Sequence, residues 1–311
     1  MTSAIELELF VHLAAGKRTV TELAAACGGS ERGVRGLLDA LTGLGYLQKS
    51  KTQFYRLSPL ASTFLVPGKQ LYMGGLAPVG KLMAMAWTTL TEAVRKGESV
   101  SGGRSPEEAT QFFTHLTPAI FALNFVAAQA AAKRLRPQLR RIKRILDIGA
   151  GAAPWSIPFA QAIKGSRVTV IDYPGVIPVT REFASKCGVA DRYEYREGDY
   201  HEVDFGVGDF DLAILGHIVH SERPANAKEL ITRIERALRA RGRLLIGEFV
   251  PNDERSAPAT PLLFGLNMLI NTAHGDVYTM LEYRAWLREA GFTKVEELAA
   301  PAVSPLIVAT K

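Results

Sequence analysis

The sequence contains little cysteine and no long apolar run. Cys27 and Cys187 are its two cysteines among 311 residues. They fall in different predicted domains, so we expect no disulfide and a reducing, cytoplasmic location. No uninterrupted apolar stretch reaches the roughly 18 residues that a membrane span needs, and the first residues lack the pattern of a signal peptide. These absences argue against a secreted, disulfide-stabilised protein and against a membrane partner.

The charge balance and composition set further limits. A net charge of +6 permits nucleic-acid contact without requiring it, and 47% hydrophobic with 22% charged residues is ordinary for a globular protein. A chain of this length can hold one large α/β domain and a smaller helical one. We predict three regions: a winged-helix domain at 1–68, a helical segment at 69–140, and a ligand-binding α/β domain at 141–311.

The most informative segment runs from residue 144 to residue 172. An apolar run ends in Gly149 and Gly151, and a second apolar run ends about 20 residues later in Asp172. This layout is typical of a strand, a tight turn, a helix and a second parallel strand. The glycines allow close approach of a nucleotide-like ligand, and Asp172 can accept both hydroxyls of a ribose. The alternative is a structural turn without a ligand.

Two details argue against a dinucleotide as that ligand. Pro154 stands where a pyrophosphate requires the third glycine of the motif. Asp147, just before the glycines, would repel a phosphate but suits a cationic amino-acid end. The pattern therefore favours S-adenosylmethionine, with its ammonium near Asp147 and its ribose on Asp172. Ala153 replaces another glycine common in such loops, and we expect its methyl group to be tolerated.

The rest of the second half alternates strands with helices. Asp199 and Tyr200 follow a short strand, and we expect them to accept from the adenine amino group and to cover the ring. Further strands are predicted at 209–215 and 243–250, with a helix at 225–238 between them. Such alternation predicts a parallel sheet covered on both faces, with the ligand beyond the carboxyl ends of the strands.

Several of these segments resemble those of a known protein family. Segments 146–151, 170–177, 198–200 and 282–292, with His220, are similar to the class I S-adenosylmethionine-dependent small-molecule O-methyltransferases of bacteria and plants (caffeate- and hydroxyneurosporene-type), which carry an N-terminal winged-helix dimerisation domain. The resemblance implies a Rossmann-like, doubly wound, mostly parallel seven-stranded sheet and an all-helical N-terminal domain. It also implies S-adenosylmethionine as cofactor, a homodimer, and Tyr173 beside the cofactor.

The first sixty residues predict a winged helix. A capping box at 19–22 opens one helix, Ser30 caps another, and a basic turn joins two short strands between residues 45 and 57. Alone, this fold suggests a DNA-binding regulator whose phosphate contacts come from four basic residues. These are Arg32, Arg35, Lys49 and Lys51. In the family that the chain resembles, this domain dimerises, so we expect no nucleic-acid partner.

His220 is the candidate general base. A histidine with an ordinary pKa near 6.5 can take the proton of a phenol or enol at neutral pH, and the resemblance aligns His220 with the catalytic histidine of the family. Relatives often carry Asp-Trp next, whereas this chain has Ser221 and Glu222. His217 is expected to contact the cofactor or to be structural.

Glu248 is the candidate partner of His220. A glutamate in a strand otherwise made of apolar residues would be costly without a partner, which predicts an ion pair with His220 unless Glu248 faces solvent. The resemblance suggests Asp276 as a second carboxylate, and His274 in the same loop is a rival base. We predict no metal.

The acceptor site is assigned from the resemblance. In such proteins a helical segment roofs the acceptor pocket and a later helix lines it. The candidates are Phe112, Phe113, Leu116, Asn267, Met268 and Asn271.

The sequence therefore predicts O-methylation of a hydroxyl on a small aromatic or polyketide-like molecule. The alternatives are C- or N-methylation on the same fold, a non-catalytic DNA-binding regulator, and a relative that binds the cofactor for different chemistry.

Overall fold

The computed structural model describes residues 1–135 and 142–311. Contacts divide the chain into two compact units, Met1–Ala84 and Met85–Lys311. The predicted domain limit at residue 140 lies outside the described residues, and the sequence-based limits stay a prediction.

The first unit consists of short helices around a two-stranded hairpin. Leu9, Leu23 and Leu38 lie in its buried core. The helix starts follow the predicted caps, because Thr19 and Glu22 form a reciprocal capping box and Ser30 accepts from the backbone N–H of Gly33. The elements are α1 (Thr2–Glu6), α2 (Leu9–Ala14), α3 (Val20–Cys27), α4 (Glu31–Gly43), β1 (Leu47–Lys49), β2 (Tyr55–Leu57) and α5 (Pro59–Phe64), followed by α6 (Leu76–Trp87), which includes the limit between the units.

One of the basic residues that suggested DNA contacts is already paired within this unit. The Lys49 ammonium lies 2.7 Å from Oδ1 of Asp39, which also accepts from the Tyr55 hydroxyl. This pair leaves Lys49 less available for a phosphate.

The second unit is built on a seven-stranded sheet. Its strand order is β5-β4-β3-β6-β7-β9-β8, with the first five parallel and β9 antiparallel to both neighbours. The strands are β3 (Arg144–Ile148), β4 (Arg167–Asp172), β5 (Tyr193–Glu197), β6 (Phe210–Gly216), β7 (Leu238–Gly247), β8 (Lys294–Leu298) and β9 (Leu306–Thr310). The predicted doubly wound, mostly parallel sheet is confirmed.

Helices cover this sheet because its central strands are apolar on both faces. All four residues from Ile145 to Ile148 are buried, although one of them is Asp147. The helices are α7 (Leu90–Lys96), α8 (Pro106–Leu135), α9 (Ser156–Ala162), α10 (Ile177–Lys186), α11 (Pro224–Ala237), α12 (Ala259–Asn271) and α13 (Met280–Glu289). The strand order reverses beside β3, so a crevice is expected beyond its carboxyl end.

One described helix, Glu107–Leu135, is long and apolar enough to cross a membrane by length and composition alone. The sequence analysis missed it because polar residues interrupt its apolar runs. Core helices of globular proteins pass the same test, and 44% of its most apolar window is buried within the protein.

Candidate active site

The loop between β3 and α9 requires glycine at two positions. Gly149 and Gly151 have φ angles of +61° and +56°, in the left-handed region that favours glycine. A Cβ at Gly149 would overlap Ile218, and one at Gly151 would lie 2.6 Å from Cγ2 of Thr117. Ala153 adopts the same region, with φ +54°, at a cost of about 1–2 kcal/mol. Its methyl group is accommodated, and the loop carries local strain.

Two buried carboxylates flank this loop at the ends of β3 and β4. Asp147 is 2% exposed and Asp172 is 8% exposed. Asp172 accepts from the backbone N–H groups of Gly151, at 2.7 Å, and Tyr173, at 2.8 Å, so each oxygen keeps one lone pair for a ligand. Burial raises the pKa of Asp147 to about 7 and that of Asp172 to about 6.

Four buried side-chain atoms of the described residues have no hydrogen-bond partner in the protein. Three of them are Oδ2 of Asp147, Oγ1 of Thr117 and Nε1 of Trp155, and the fourth is Nδ1 of His217. Thr117 lies against Gly151, and Trp155 lies against the glycines that end β6 and β7. Buried polar groups without partners are costly and rare. Their grouping at one edge of the sheet fits a polar ligand.

A second polar cluster lies beyond β5. The Tyr200 hydroxyl donates to the buried carboxylate of Glu222, and Nε2 of His201 lies 3.0 Å from the same oxygen. The Tyr173 hydroxyl lies 3.4 Å from Asp199. Burial raises the pKa of Tyr200 well above its usual range. Glu222, which the sequence analysis noted only as a departure from relatives, therefore fixes Tyr200.

His220 and Glu248 form a pair in which Glu248 is buried and His220 is partly buried. His220 lies in a single 3-10 turn after β6, and Glu248 follows β7, so the parallel neighbours bring the two together. Nδ1 of His220 lies 2.8 Å from Oε2 of Glu248, whose side chain is 1% exposed. Burial by itself would raise the pKa of Glu248, but the charge and hydrogen bond of His220, with His217 close by, lower it well below its usual range. Glu248 is thus an ionised acceptor that leaves Nε2 of His220 for a second partner.

His217 lies on the other side of Glu248. It has φ +61°, its Nε2 lies 3.0 Å from Oδ1 of Asn124, and its Nδ1 lies 3.7 Å from Oε2 of Glu248. One ligand atom from each of His217, His220 and Glu248 lies within 4.8 Å of the others, close enough to hold a metal ion. The absence of a metal from the reaction stays a prediction.

Comparison with known proteins assigns the family. The model of the O-methyltransferase domain matches residues 87–293, and that of the O-methyltransferase dimerisation domain matches residues 1–67. The chain belongs to the O-methyltransferase family.

Relatives and solved structures match this O-methyltransferase over its whole length. It is 32% identical to the tetracenomycin polyketide synthesis 8-O-methyltransferase of Streptomyces glaucescens, covering 100% of this chain and 92% of that one. It is 29% identical to the 3-hydroxy-5-methyl-1-naphthoate 3-O-methyltransferase of Streptomyces sahachiroi, covering 100% and 91%. Human N-acetylserotonin methyltransferase, solved with S-adenosylmethionine, superposes with a TM-score of 0.84 at 25% identity, covering 100% and 92%.

The residues of this O-methyltransferase fit such a cofactor. Asp147 offers a carboxylate oxygen to an ammonium, Thr117 offers a hydroxyl to a carboxylate, and Asp172 offers two lone pairs to ribose hydroxyls. Sequence reasoning missed Thr117 and Asn124, since both come from α8, which has no motif.

The predicted acceptor residues lie on two helices. On α8, Phe112 and Phe113 pack edge to face at 5.4 Å, and Leu116 is half-buried. On α12, Asn267 and Met268 are buried, and Nδ2 of Asn271 donates to Asn267.

An aromatic pair beside His220 was missed by the sequence analysis. The Phe264 ring stands edge to face with the His220 ring at 4.9 Å and stacks on Phe249 at 3.8 Å. Phe249 could have been found, since it follows Glu248 directly at the end of β7. Phe264 could not have been found, because it lies far from His220 in the sequence and no motif links the two residues.

The loop after α12 approaches His220 through its backbone. The N–H of Asp276 donates to the carbonyl of His220, and Oδ1 of Asp276 accepts from the N–H of Val277. His274 is exposed. Within 1–135 and 142–311, neither the Asp276 carboxylate nor the His274 ring makes a hydrogen bond to His220, so Asp276 as second carboxylate stays a prediction.

Proposed function

We propose that this chain transfers the methyl group of S-adenosylmethionine to a hydroxyl of a small aromatic or polyketide-like acceptor, with His220 as general base. The observation that carries the proposal is the partly buried hydrogen bond between Nδ1 of His220 and Glu248 at the carboxyl edge of the sheet. The names of the two Streptomyces relatives support a polycyclic or naphthoate-like acceptor.

The proposed mechanism assigns a separate task to each residue. S-adenosylmethionine supplies an electrophilic methyl group on a sulfonium. Asp147 would bind its ammonium, Thr117 its carboxylate and Asp172 its ribose, while Tyr200, Asp199 and Tyr173 would hold its adenine side. Gly149 and Gly151 would allow the backbone to approach the cofactor closely, and His217 would contact it.

The chain's own residues then prepare the acceptor hydroxyl. When Glu248 accepts from Nδ1–H of the neutral His220 ring, Nε2 is unprotonated and can take the hydroxyl proton. Phe264, packed on the His220 ring, helps to keep water away and holds the ring plane. Alignment of the acceptor with the methyl group supplies much of the remaining rate enhancement.

The match of residues 1–67 to the dimerisation domain supports a homodimer. It favours dimerisation over DNA binding as the role of the winged helix. We propose the cytoplasm as the location of the homodimer.

Cofactor binding tests the proposal. We expect calorimetry to give a micromolar Kd for S-adenosylmethionine, about −8 kcal/mol, and at least about tenfold weaker binding by Asp172→Ala, which loses one charged acceptor. Asp191→Ala is the control, because Asp191 is an exposed aspartate outside the site. Absence of binding to the wild-type protein would contradict the proposal. Methyl transfer to a phenol panel, with the methylated atom assigned by NMR, separates O- from C- or N-methylation.

Cofactor affinity should also fall as the pH falls. The ammonium binds the ionised form of Asp147, whose pKa burial raises to about 7 in the free protein, so below that pH a proton must leave before the cofactor binds. We expect Kd to increase about tenfold or more between about pH 7.5 and pH 5.5. Asp147→Asn should flatten this dependence, leaving the smaller contribution of Asp172. A wild-type Kd that is constant over this range would refute the assignment of Asp147.

A further inference from the structure

A short loop joins α7 to α8 and is attached to the end of α12. Oγ of Ser99, which is buried, donates to the carbonyl of Ile270 at 2.9 Å, and Nη1 of Arg104 donates to the carbonyl of Asn271 at 3.2 Å. Both carbonyls belong to the last turn of α12, where helix carbonyls have no partner within the helix. The two bonds fix the position of Arg104 relative to α12.

The same arginine contacts α8. The guanidinium carbon of Arg104 lies 3.9 Å from the centre of the Phe112 ring, a cation–π contact. Arg104 therefore touches Phe112 and Asn271, one predicted acceptor residue on each of the two helices. The contact holds one face of the guanidinium and leaves its N–H edge available.

Arg104 has no carboxylate partner among the described residues. Glu108 is the nearby acid, and it is engaged in capping α8, where its carboxylate accepts from the N–H of Ser105 at 2.9 Å. Burial lowers the pKa of Arg104 and the charge of Glu108 raises it, but an arginine remains charged at neutral pH. A guanidinium has five N–H donors, and the Asn271 carbonyl uses one.

A cavity of about 440 Å³ lies beside this charge. Arg104, Asn271 and Ile270 line it together with Gly102 and Gly103, whose lack of side chains leaves room for a ligand group. Glu108 lines it too, with its carboxylate held by the N–H of Ser105. This volume is within the range of small-molecule sites, about 300–1,000 Å³.

We propose that the acceptor is a hydroxylated aromatic acid whose carboxylate is bound by the guanidinium of Arg104. The inference rests on the proposed function and narrows its substrate class. Arg104 then acts in acceptor specificity, and the hydroxyl to be methylated lies at the His220 end of the acceptor.

Matched pairs of acids and esters test the proposal. The probes are hydroxybenzoic and hydroxynaphthoic acids, each with its methyl ester, titrated by calorimetry into protein saturated with S-adenosylhomocysteine. We expect at least one acid to bind about threefold to tenfold tighter than its ester, because a partly exposed, charge-assisted pair contributes modestly. Arg104→Gln should remove that preference, so that an acid and its ester bind with similar Kd values.

Two further variants keep the test decisive. Arg104→Lys keeps the charge and should retain part of the preference, even though it loses the fork geometry. Arg134→Gln makes the same charge change on an exposed residue at the other end of α8 and should behave as wild type. An acid preference that survives in Arg104→Gln, equal binding of acid and ester, or no binding of any acid would overturn the inference.

The outcomes also separate this inference from the proposed function. A protein that binds S-adenosylmethionine and methylates neutral phenols without preferring acids keeps the proposed function and loses the role of Arg104. A protein that does not bind S-adenosylmethionine loses both.

Discussion

Replacing His220 with alanine should lower kcat for a phenolic acceptor by about 10²- to 10⁴-fold, the range that a positioned general base contributes. The loss should fall on kcat, because in the proposed mechanism Nε2 of His220 takes the acceptor proton while Nδ1 is held by Glu248. The Kd of S-adenosylmethionine should change little, since His220 is not among the proposed cofactor contacts. Single-turnover methyl transfer and calorimetry measure the two effects separately.

His274→Ala is the matched control for this experiment. His274 is the rival base, and the structure leaves it exposed in the loop after α12. Its replacement should change kcat less than about twofold, as is usual for a surface substitution away from the chemistry. Activity of His220→Ala within a few-fold of wild type, or a large loss in His274→Ala, would show that base catalysis by His220 is wrong.

The features that the sequence predicted well are those set by local patterns. Gly149 and Gly151 sit in a turn whose φ angles favour glycine, and Asp172 ends the next strand along the chain. The same holds for the capping box at Thr19. In each case the physical constraint acts within one strand–turn–helix unit.

Glu248 was predicted from an energetic argument. A glutamate among apolar strand residues needs a partner, and the pairing of β6 with β7 brings His220 to it. The alternative that Glu248 faces solvent is wrong, because it is 3% exposed.

The residues that were missed come from contacts between distant segments. Thr117 and Asn124 reach the site from α8, and the rotation of that helix over the sheet is set by packing along its whole length. Phe264 reaches His220 from α12 in the same way. A helix shows its apolar face in its sequence, but it does not show which polar residue on that face will meet a loop more than thirty residues away.

Replacing Glu248 with glutamine tests how His220 is prepared. Glu248 accepts from Nδ1 and the backbone N–H of His220 and from the N–H of Phe249, and it donates to none of them. An amide group there must turn its NH₂ toward at least one N–H donor. We expect kcat to fall about 10- to 100-fold and the protein to lose about 1–3 kcal/mol of stability, the cost of a buried group left without its partner. Alanine, which breaks the buried pair, should cost about 3–5 kcal/mol.

The double variant distinguishes a positioning role from a structural one. If Glu248 acts on the reaction through His220, then Glu248→Gln introduced into His220→Ala should change kcat by less than about twofold, because residues acting as a unit are not additive. Glu222→Gln is the matched control, since Glu222 is equally buried but binds Tyr200 and His201. Glu222→Gln should destabilise the protein. In the His220→Ala background it should lower kcat further only to the extent that it weakens cofactor binding. If Glu248→Gln lowers kcat by the same factor with and without His220, the carboxylate acts on the reaction by another route. His217, on the far side of Glu248, would then be the next residue to replace.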